Sequence, residues 1–394
     1  MPTAHFFTDE SFAETRSLIA AISCAAVCGI VFGLSMPLIS LRLEHMTGSG
    51  LMVGLNGAAA ALSTLLIAPI VPRLMRLLPP RQILALSLAC AAGLFVLLPL
   101  LPSVWLWLGL RFAIGCFMTV IFVISESWIN QVVTPERRAM MLGVYGTALA
   151  GGFGLGGLIF SALHSAGDAA FYLGSLIFLT GAIPVFFLRG PDPKAPDAHA
   201  SSIRSMLSMI PLAPAAIMAG LAFGAIETLI FSMMPVYGER IGLDHSMIGI
   251  LIVSVALGSI VFQIPIGWIA DRTDRRLTLL WIAVAATTGP ILIGYSGDNI
   301  PLLLTVIFFQ SGAVSGLYTV GLSLLGERFT GGTIAAANAA FIFAYGMGSF
   351  AGPPAAGIAM DNVGPWGLLW VLSGIAAAYV LIVASRAVLA RSKS

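Results

Sequence analysis

The sequence predicts an all-α integral membrane protein with twelve transmembrane helices arranged as two pseudo-symmetric six-helix bundles. Three observations carry that prediction. Of the 394 residues 58% are hydrophobic and only 9% charged, with a mean hydropathy of +0.99, whereas a soluble domain carries roughly 25% charged residues. The apolar residues come in long blocks, with no charge between Arg16 and Arg42 or between Arg81 and Arg111. Each gap exceeds the roughly 20 residues that a helix needs to cross the hydrocarbon. The blocks also fall into two similar sets on either side of one polar stretch. In lipid only helices and closed barrels satisfy every backbone polar group, and the alternating pattern of a barrel is absent.

The first 16 residues are polar and net acidic, without the basic start of a cleaved signal peptide, so the first span is expected to remain as an anchor. Spans follow near 17–40, 51–74, 81–101, 104–131, 138–163 and 168–188. A second set lies near 207–237, 246–270, 276–296, 300–326, 332–357 and 365–387. This gives an N-terminal bundle over 17–188, a Pro-rich linker over 189–206 and a C-terminal bundle over 207–388. Cys24, Cys28, Cys90 and Cys116 all fall inside spans and read as small packing residues rather than a disulfide framework.

Charge sets the orientation. Of 19 basic residues, 16 lie on the tails or on loops after even-numbered spans; Arg42 and Arg240 lie on the opposite loops, and Arg111 lies within span four. The positive-inside rule then places both termini in the cytoplasm of a bacterial-type cytoplasmic (inner) membrane.

The two sets look related at a register offset near 200. Met36-Pro37 matches Met234-Pro235, Gly54 and Pro69 match Gly249 and Pro265, and Gly152 and Gly156 lie opposite Gly352 and Ala356. Repeats of this kind build many secondary transporters, with the substrate between halves at mid-membrane.

The loop after span eight reads Gly267-Trp-Ile-Ala-Asp271-Arg272-Thr-Asp-Arg275-Arg276. It is similar to the G-x-x-A-D-R-x-x-R-R signature of the major facilitator superfamily, and the resemblance covers essentially the whole chain. Glu126-Ser127 and the segment MPVYGERIGL after span seven resemble the uncharacterised YcaD-like branch. Such membership implies the 6+6 fold and a transporter, without naming a substrate. In the signature, Asp271 at a helix end can pair with arginines when the halves close on that face, giving a cytoplasmic gate; a solvated charge cluster is the alternative. The corresponding loop 72–81 keeps its basic residues but has no aspartate, which argues against two symmetric latches.

Span five contains a G-x-G-x-x-G match at Gly152, Gly154 and Gly157. No strand and βαβ unit accompany it, so a dinucleotide site is rejected. Gly152, Gly156, Gly352 and Pro353 are expected instead to pack helices closely. The block resembles the fifth-helix antiporter motif of the superfamily with Phe153 in place of its proline, and the eleventh span carries a closer copy at Gly348, Gly352 and Pro353. No G-x-x-x-x-G-K-[ST] loop is present, which argues against direct drive by ATP.

Ionisable residues within spans are costly and therefore candidate sites. Glu227 is the only charge between Arg204 and Glu239 and lies about 15 Å of helix from Tyr237, near the bilayer midplane. It is expected to carry a coupling proton or bind a cationic group, or else to be a protonated structural residue. Arg111 begins Arg111-Phe-Ala-Ile-Gly115, which resembles the fourth-helix R-x-x-x-G motif linked to proton coupling; it could neutralise a carboxylate or snorkel to the interface. Glu126 lies 15 residues on, about 22 Å toward the cytoplasmic mouth, and suits interfacial capping or proton relay. Uncharged polar residues in spans, Asn56, Gln263, Gln310, Tyr318, Asn338 and Tyr345, read first as helix–helix hydrogen bonds. The resemblance, in which the tenth helix lines the cavity, ranks Gln310 and Tyr318, then Asn338 and Asn56, as candidates for the substrate cavity.

The expected function is a secondary active transporter of a small, amphipathic organic solute, proton-coupled and with efflux favoured by the antiporter-like glycines. Its expected partners are solute, protons and the lipid bilayer, with no nucleic acid, as a monomer. No cofactor, metal site or enzyme-type cluster is expected. One alternative is soft-metal (copper) transport through Cys24, Cys28, Met36, His45, Met46, Met233, Met234, His245 and Met247. Another is a membrane sensor or scaffold that moves nothing.

Overall fold

The computed structural model describes residues 9–163, 165–188, 192–193, 207–297, 299–329 and 332–391. Almost all of the linker at 189–206 thus lies outside the described residues. The described chain forms α1 (Asp9–Thr47), α2 (Gly50–Ile67), α3 (Val71–Leu77), α4 (Pro80–Leu100), α5 (Val104–Val132), α6 (Pro135–Leu163) and α7 (Ala169–Phe187) before the linker. After it come α8 (Pro214–Arg240), α9 (His245–Ala270), α10 (Arg275–Tyr295), α11 (Ile300–Arg328), α12 (Gly332–Val363) and α13 (Trp366–Arg391).

Eleven of these helices are long and apolar enough to cross a membrane. The other long one, α12, spans 32 residues. The expected second span at 51–74 is interrupted. Pro69 and Pro72 each lack an N–H, so α2 ends at Ile67 and a turn leads into the short α3. At helix starts the same chemistry is harmless: Pro80 and Pro214 open α4 and α8, where no intrahelical donor is needed. Asp244, Asp274 and Asn299 cap α9, α10 and α11 by accepting from backbone N–H groups.

The most enclosed apolar windows belong to α8, 72% buried, and α1, 61% buried, against 22% for α6. By that measure these two are the inner helices. Glycines fix how closely α1 and α8 meet their partners. A Cβ on Gly29 would strike the Leu149 carbonyl of α6, and one on Gly224 would strike the Tyr345 carbonyl of α12. One on Gly152 would strike Ala26 O, and one on Gly348 Leu221 O. Matching these contacts gives an offset of about 195 residues, at which Gly152 and Gly156 correspond to Gly348 and Gly352. That is one turn earlier than the sequence register of Gly352 and Ala356, and it leaves Met36-Pro37 and Met234-Pro235 unmatched.

The two helix sets meet at two related crossings. Gly54 of α2 abuts Pro353 of α12, while Gly249 of α9 abuts Gly157 and Ser161 of α6. At the second crossing Ser161 and Ser246 share a 2.9 Å hydroxyl hydrogen bond.

Candidate functional site

Glu227 lies mid-way along the inner helix α8 and is half-buried. Tyr345 of α12 donates its hydroxyl to Glu227 Oε2 at 2.8 Å. The contact is possible because Gly224 lets α12 approach one turn earlier on α8, where Ser349 donates to the Gly224 carbonyl at 3.0 Å. Aromatic rings surround the pair. Phe223 stands 5.8 Å from Tyr345 and 5.3 Å from Tyr318 of α11, and Tyr318 stands 5.5 Å from Phe341. On the other side a stack runs from Phe122 to Phe32 to Phe153, and Phe153 lies 4.6 Å from Phe231 of α8. The centre therefore sets Glu227 among aromatic faces.

The remaining sequence-predicted residues divide. Tyr318 joins the central cluster, within electrostatic reach of both Glu227 and the exposed Glu126. Asn338 lies on α12 two turns before Tyr345, on the same face. Gln310 and Asn56 do not line the centre. Gln310 is 4% exposed and donates to Ala286 O of α10, and Asn56 donates to Trp107 O of α5. Arg111 is 2% exposed and turns toward α1, with Nη2 3.1 Å from Met36 Sδ. Among the described residues it forms no ion pair, so the expected pairing with a carboxylate is absent in this conformation.

The signature loop pairs within its own helix set. Arg275 reaches Asp271 at 3.0 Å and Glu327 of α11 at 2.8 Å, and donates to Ser323 O. Arg272 covers the Trp268 ring at 4.1 Å. The Arg276 backbone N–H donates to the capping Asp274 at 2.8 Å, and a Cβ at Gly267 would meet nothing. Among the described residues Asp271 thus makes no pair across the halves. In loop 72–81 the missing acid comes from elsewhere, because Arg81 pairs with Asp192 and donates to Val185 O and Leu188 O.

The ion pairs that do join the two sets lie, among the described residues, at the opposite, arginine-poor end. Arg240 of α8 bonds Glu44 of α1 at 2.7 Å and Asp361 of α12 at 3.1 Å, and donates to Met360 O. Asp361 also accepts from the backbone N–H groups of Gly50 and Leu51 and from Ser49 Oγ, at 2.6, 3.0 and 2.8 Å. It caps α2 from across the interface, where a helix N-terminus favours negative charge. Burial pushes the Asp361 carboxyl up, but these hydrogen bonds and Arg240 outweigh that and hold it below its ordinary range. His45 of α1 meets Glu239 of α8 at 2.6 Å. Sequence reading passed over the Arg240–Glu44–Asp361 clamp because each of these residues looks like an ordinary loop charge, and it weighed His45 only as a soft-metal ligand. The signal was there in Arg240, one of only two basic residues on that side.

A profile described as Major Facilitator Superfamily matches residues 21–246 and 216–393. The chain belongs to this superfamily. The MFS-type transporter YfkF of Bacillus subtilis (strain 168), itself uncharacterised, is 26% identical over 346 residues, covering 86% of this chain and 87% of its own. The likewise uncharacterised YcaD of Salmonella enteritidis PT4 is 27% identical over 301 residues, covering 75% and 76%. The resemblance to the YcaD branch therefore holds at the level of whole sequences. Among solved structures, a mutant of the nucleoside transporter NupG superposes with a TM-score of 0.77 at 11% identity, covering 94% of this chain and 99% of its own. A bacterial homolog of the human lysosomal transporter Spinster, in an inward-facing and unoccupied conformation, gives 0.69 at 15% identity, covering 94% of each chain. At such identities the likeness is one of fold. This MFS chain is a membrane transporter by family, with multiple apolar helices.

Proposed function

We propose that this MFS protein is a proton-coupled secondary transporter of a small amphipathic organic solute, working by alternating access. The observation that carries the reading is the Glu227–Tyr345 pair on an inner helix, set among Phe223, Tyr318 and the Phe32–Phe153–Phe231 stack. An intramembrane acid that can exchange its proton provides coupling, and aromatic faces provide an apolar or cation-tolerant surface. A sugar would need many more hydrogen-bonding groups. With both termini in the cytoplasm, as the arginine bias supports, the clamp seals the outer end and the cytoplasmic end is the one free to open. The N- and C-terminal bundles then rock about the α2–α12 and α6–α9 crossings, with the signature loop engaging when the inner end closes. The antiporter-like glycines support export. Copper transport through thiols and thioethers loses support: Cys24, Cys28, Met233 and Met234 are packed in the core, and among the described residues His45 and His245 meet Glu239 with no cysteine in the group.

A thermal-stability screen of the detergent-purified protein, over organic cations, amphipathic drugs, amino acids, sugars and organic acids, names the substrate class. An amphipathic ligand should raise the melting temperature, and proteoliposome uptake of that ligand should follow an imposed pH gradient. A sugar as the sole stabilising class, or gradient-independent uptake, would sink the reading.

A further inference from the structure

We infer a binding site for a divalent transition-metal cation, of the zinc type, bridging the two helix sets at the arginine-poor end. Its ligands are His45 Nε2 from the last turn of α1, Glu239 from the last turn of α8, and His245 Nε2 at the start of α9. Their donor atoms all lie within 4.8 Å of one another. His245 Nε2 lies 3.3 Å from Glu239 Oε1, close to the separation of about 3.3 Å that ligands take around a tetrahedral zinc with bonds near 2.0 Å. His45 Nε2 stands 2.6 Å from the same oxygen and the two rings are 6.1 Å apart, so a small rotation of the 54%-exposed His45 side chain suffices to admit the ion.

The site is built by the fold. Gly242, at φ 87°, turns the chain sharply after α8, a backbone angle that L side chains rarely adopt. Asp244 then caps α9 through the Met247 N–H, which returns His245 to Glu239 six residues after it.

A separate observation points to a cation. Arg240 pairs with Glu44 and Asp361, whereas Glu239 meets only the two imidazoles and has no arginine or lysine partner among the described residues. Among the described residues Glu239 Oε2 is buried with no hydrogen-bond partner, a state that costs free energy until a positive charge or donor arrives. Two imidazoles and a carboxylate select zinc-type ions over calcium or magnesium, which prefer all-oxygen shells. The exposed side of His45 leaves a fourth position to water.

Because His45 belongs to one helix set and Glu239 and His245 to the other, a bound ion staples this end shut. If alternating access operates as proposed above, zinc slows transport by holding that end closed. Binding itself does not depend on any transported solute, so it stands or falls separately from the transport reading.

The test uses the full chain purified without a polyhistidine tag and stripped with chelator. Zinc should raise its melting temperature by roughly 2–5 °C at saturation, and magnesium should not. A single zinc should remain after gel filtration by elemental analysis. His45→Asn and His245→Asn should each lose both effects. His45→Asn is the decisive variant, because its half-exposed side chain leaves the Arg240 network untouched, as its zinc-free melting temperature will show. Zinc retained equally by His45→Asn, or no zinc retained by the parent protein, overturns the site.

Discussion

A carboxyl group on an inner membrane helix is stabilised by the groups it faces, and Glu227 faces the hydroxyl of Tyr345. Replacing it by glutamine keeps the shape and the hydrogen bond while removing the exchangeable proton. Glu227→Gln should therefore fold with an unchanged melting temperature, keep solute binding, and lose pH-gradient-driven transport by at least tenfold. Intact gradient coupling in that variant, measured in proteoliposomes, would make Glu227 structural. Arg111 poses a different problem, since its guanidinium is enclosed beside Met36 without a carboxylate. A buried cation with no ion-pair partner among the described residues is costly to stability, a cost that a partner in another conformation or in the substrate would offset. Arg111→Lys keeps the charge but loses the planar fork. Transport should drop roughly tenfold, about 1.4 kcal/mol, with little loss of stability; normal transport in this variant would exclude fork-like binding.

At the scale of the element, the glycine positions separate into contacts and open space. Gly54 and Gly249 sit at the two crossings of the halves, where a side chain would meet backbone. Gly54→Leu or Gly249→Leu should destabilise by about 1–3 kcal/mol or more. Gly151, which a Cβ leaves without a neighbour within 4 Å, should instead gain about 0.5–1 kcal/mol as alanine from helix propensity alone. Thermal melts of the three variants check the contrast, and equal effects would deny the crossings their role. The α2 N-terminus depends on Asp361, whose carboxyl is held below its ordinary range. A depressed carboxyl contributes stability above the unfolded value of about 4, and that contribution is lost as pH falls through the depressed value. The melting-temperature gap between the parent and Asp361→Asn should thus be constant from pH 5 to 7 and shrink below about pH 4.

For the whole molecule, orientation rests on the arginine bias, and the clamp rests on the opposite end. Reporter fusions at both tails and after the even-numbered spans should report cytoplasm, with the α1–α2 and α8–α9 loops outside. Inverted reporters would turn the clamp into an inner gate and reverse the order of opening, while leaving the geometry as described.

The sequence alone determined the class of molecule. Charge-free runs longer than a bilayer is thick force helix, and the signature loop at Gly267–Arg276 is local and contiguous, so its family could be read directly. Glu227 stood out for the same reason, as a lone charge in an apolar run. The tertiary structure decided what needs two distant segments in contact. Arg240 finding Glu44 and Asp361 joins residues 196 and 121 apart in sequence, and no local pattern encodes that. Gln310 and Asn56 read the same as Tyr318 and Asn338 in a string of letters, yet Gln310 and Asn56 bond neighbouring helices while Tyr318 and Asn338 share a face with Tyr345 or its cluster. The break of the second span at Pro69 and the register of the repeat belong to the same group. Periodicity tells which helices exist, whereas backbone approach at Gly29, Gly152, Gly224 and Gly348 fixes how they meet.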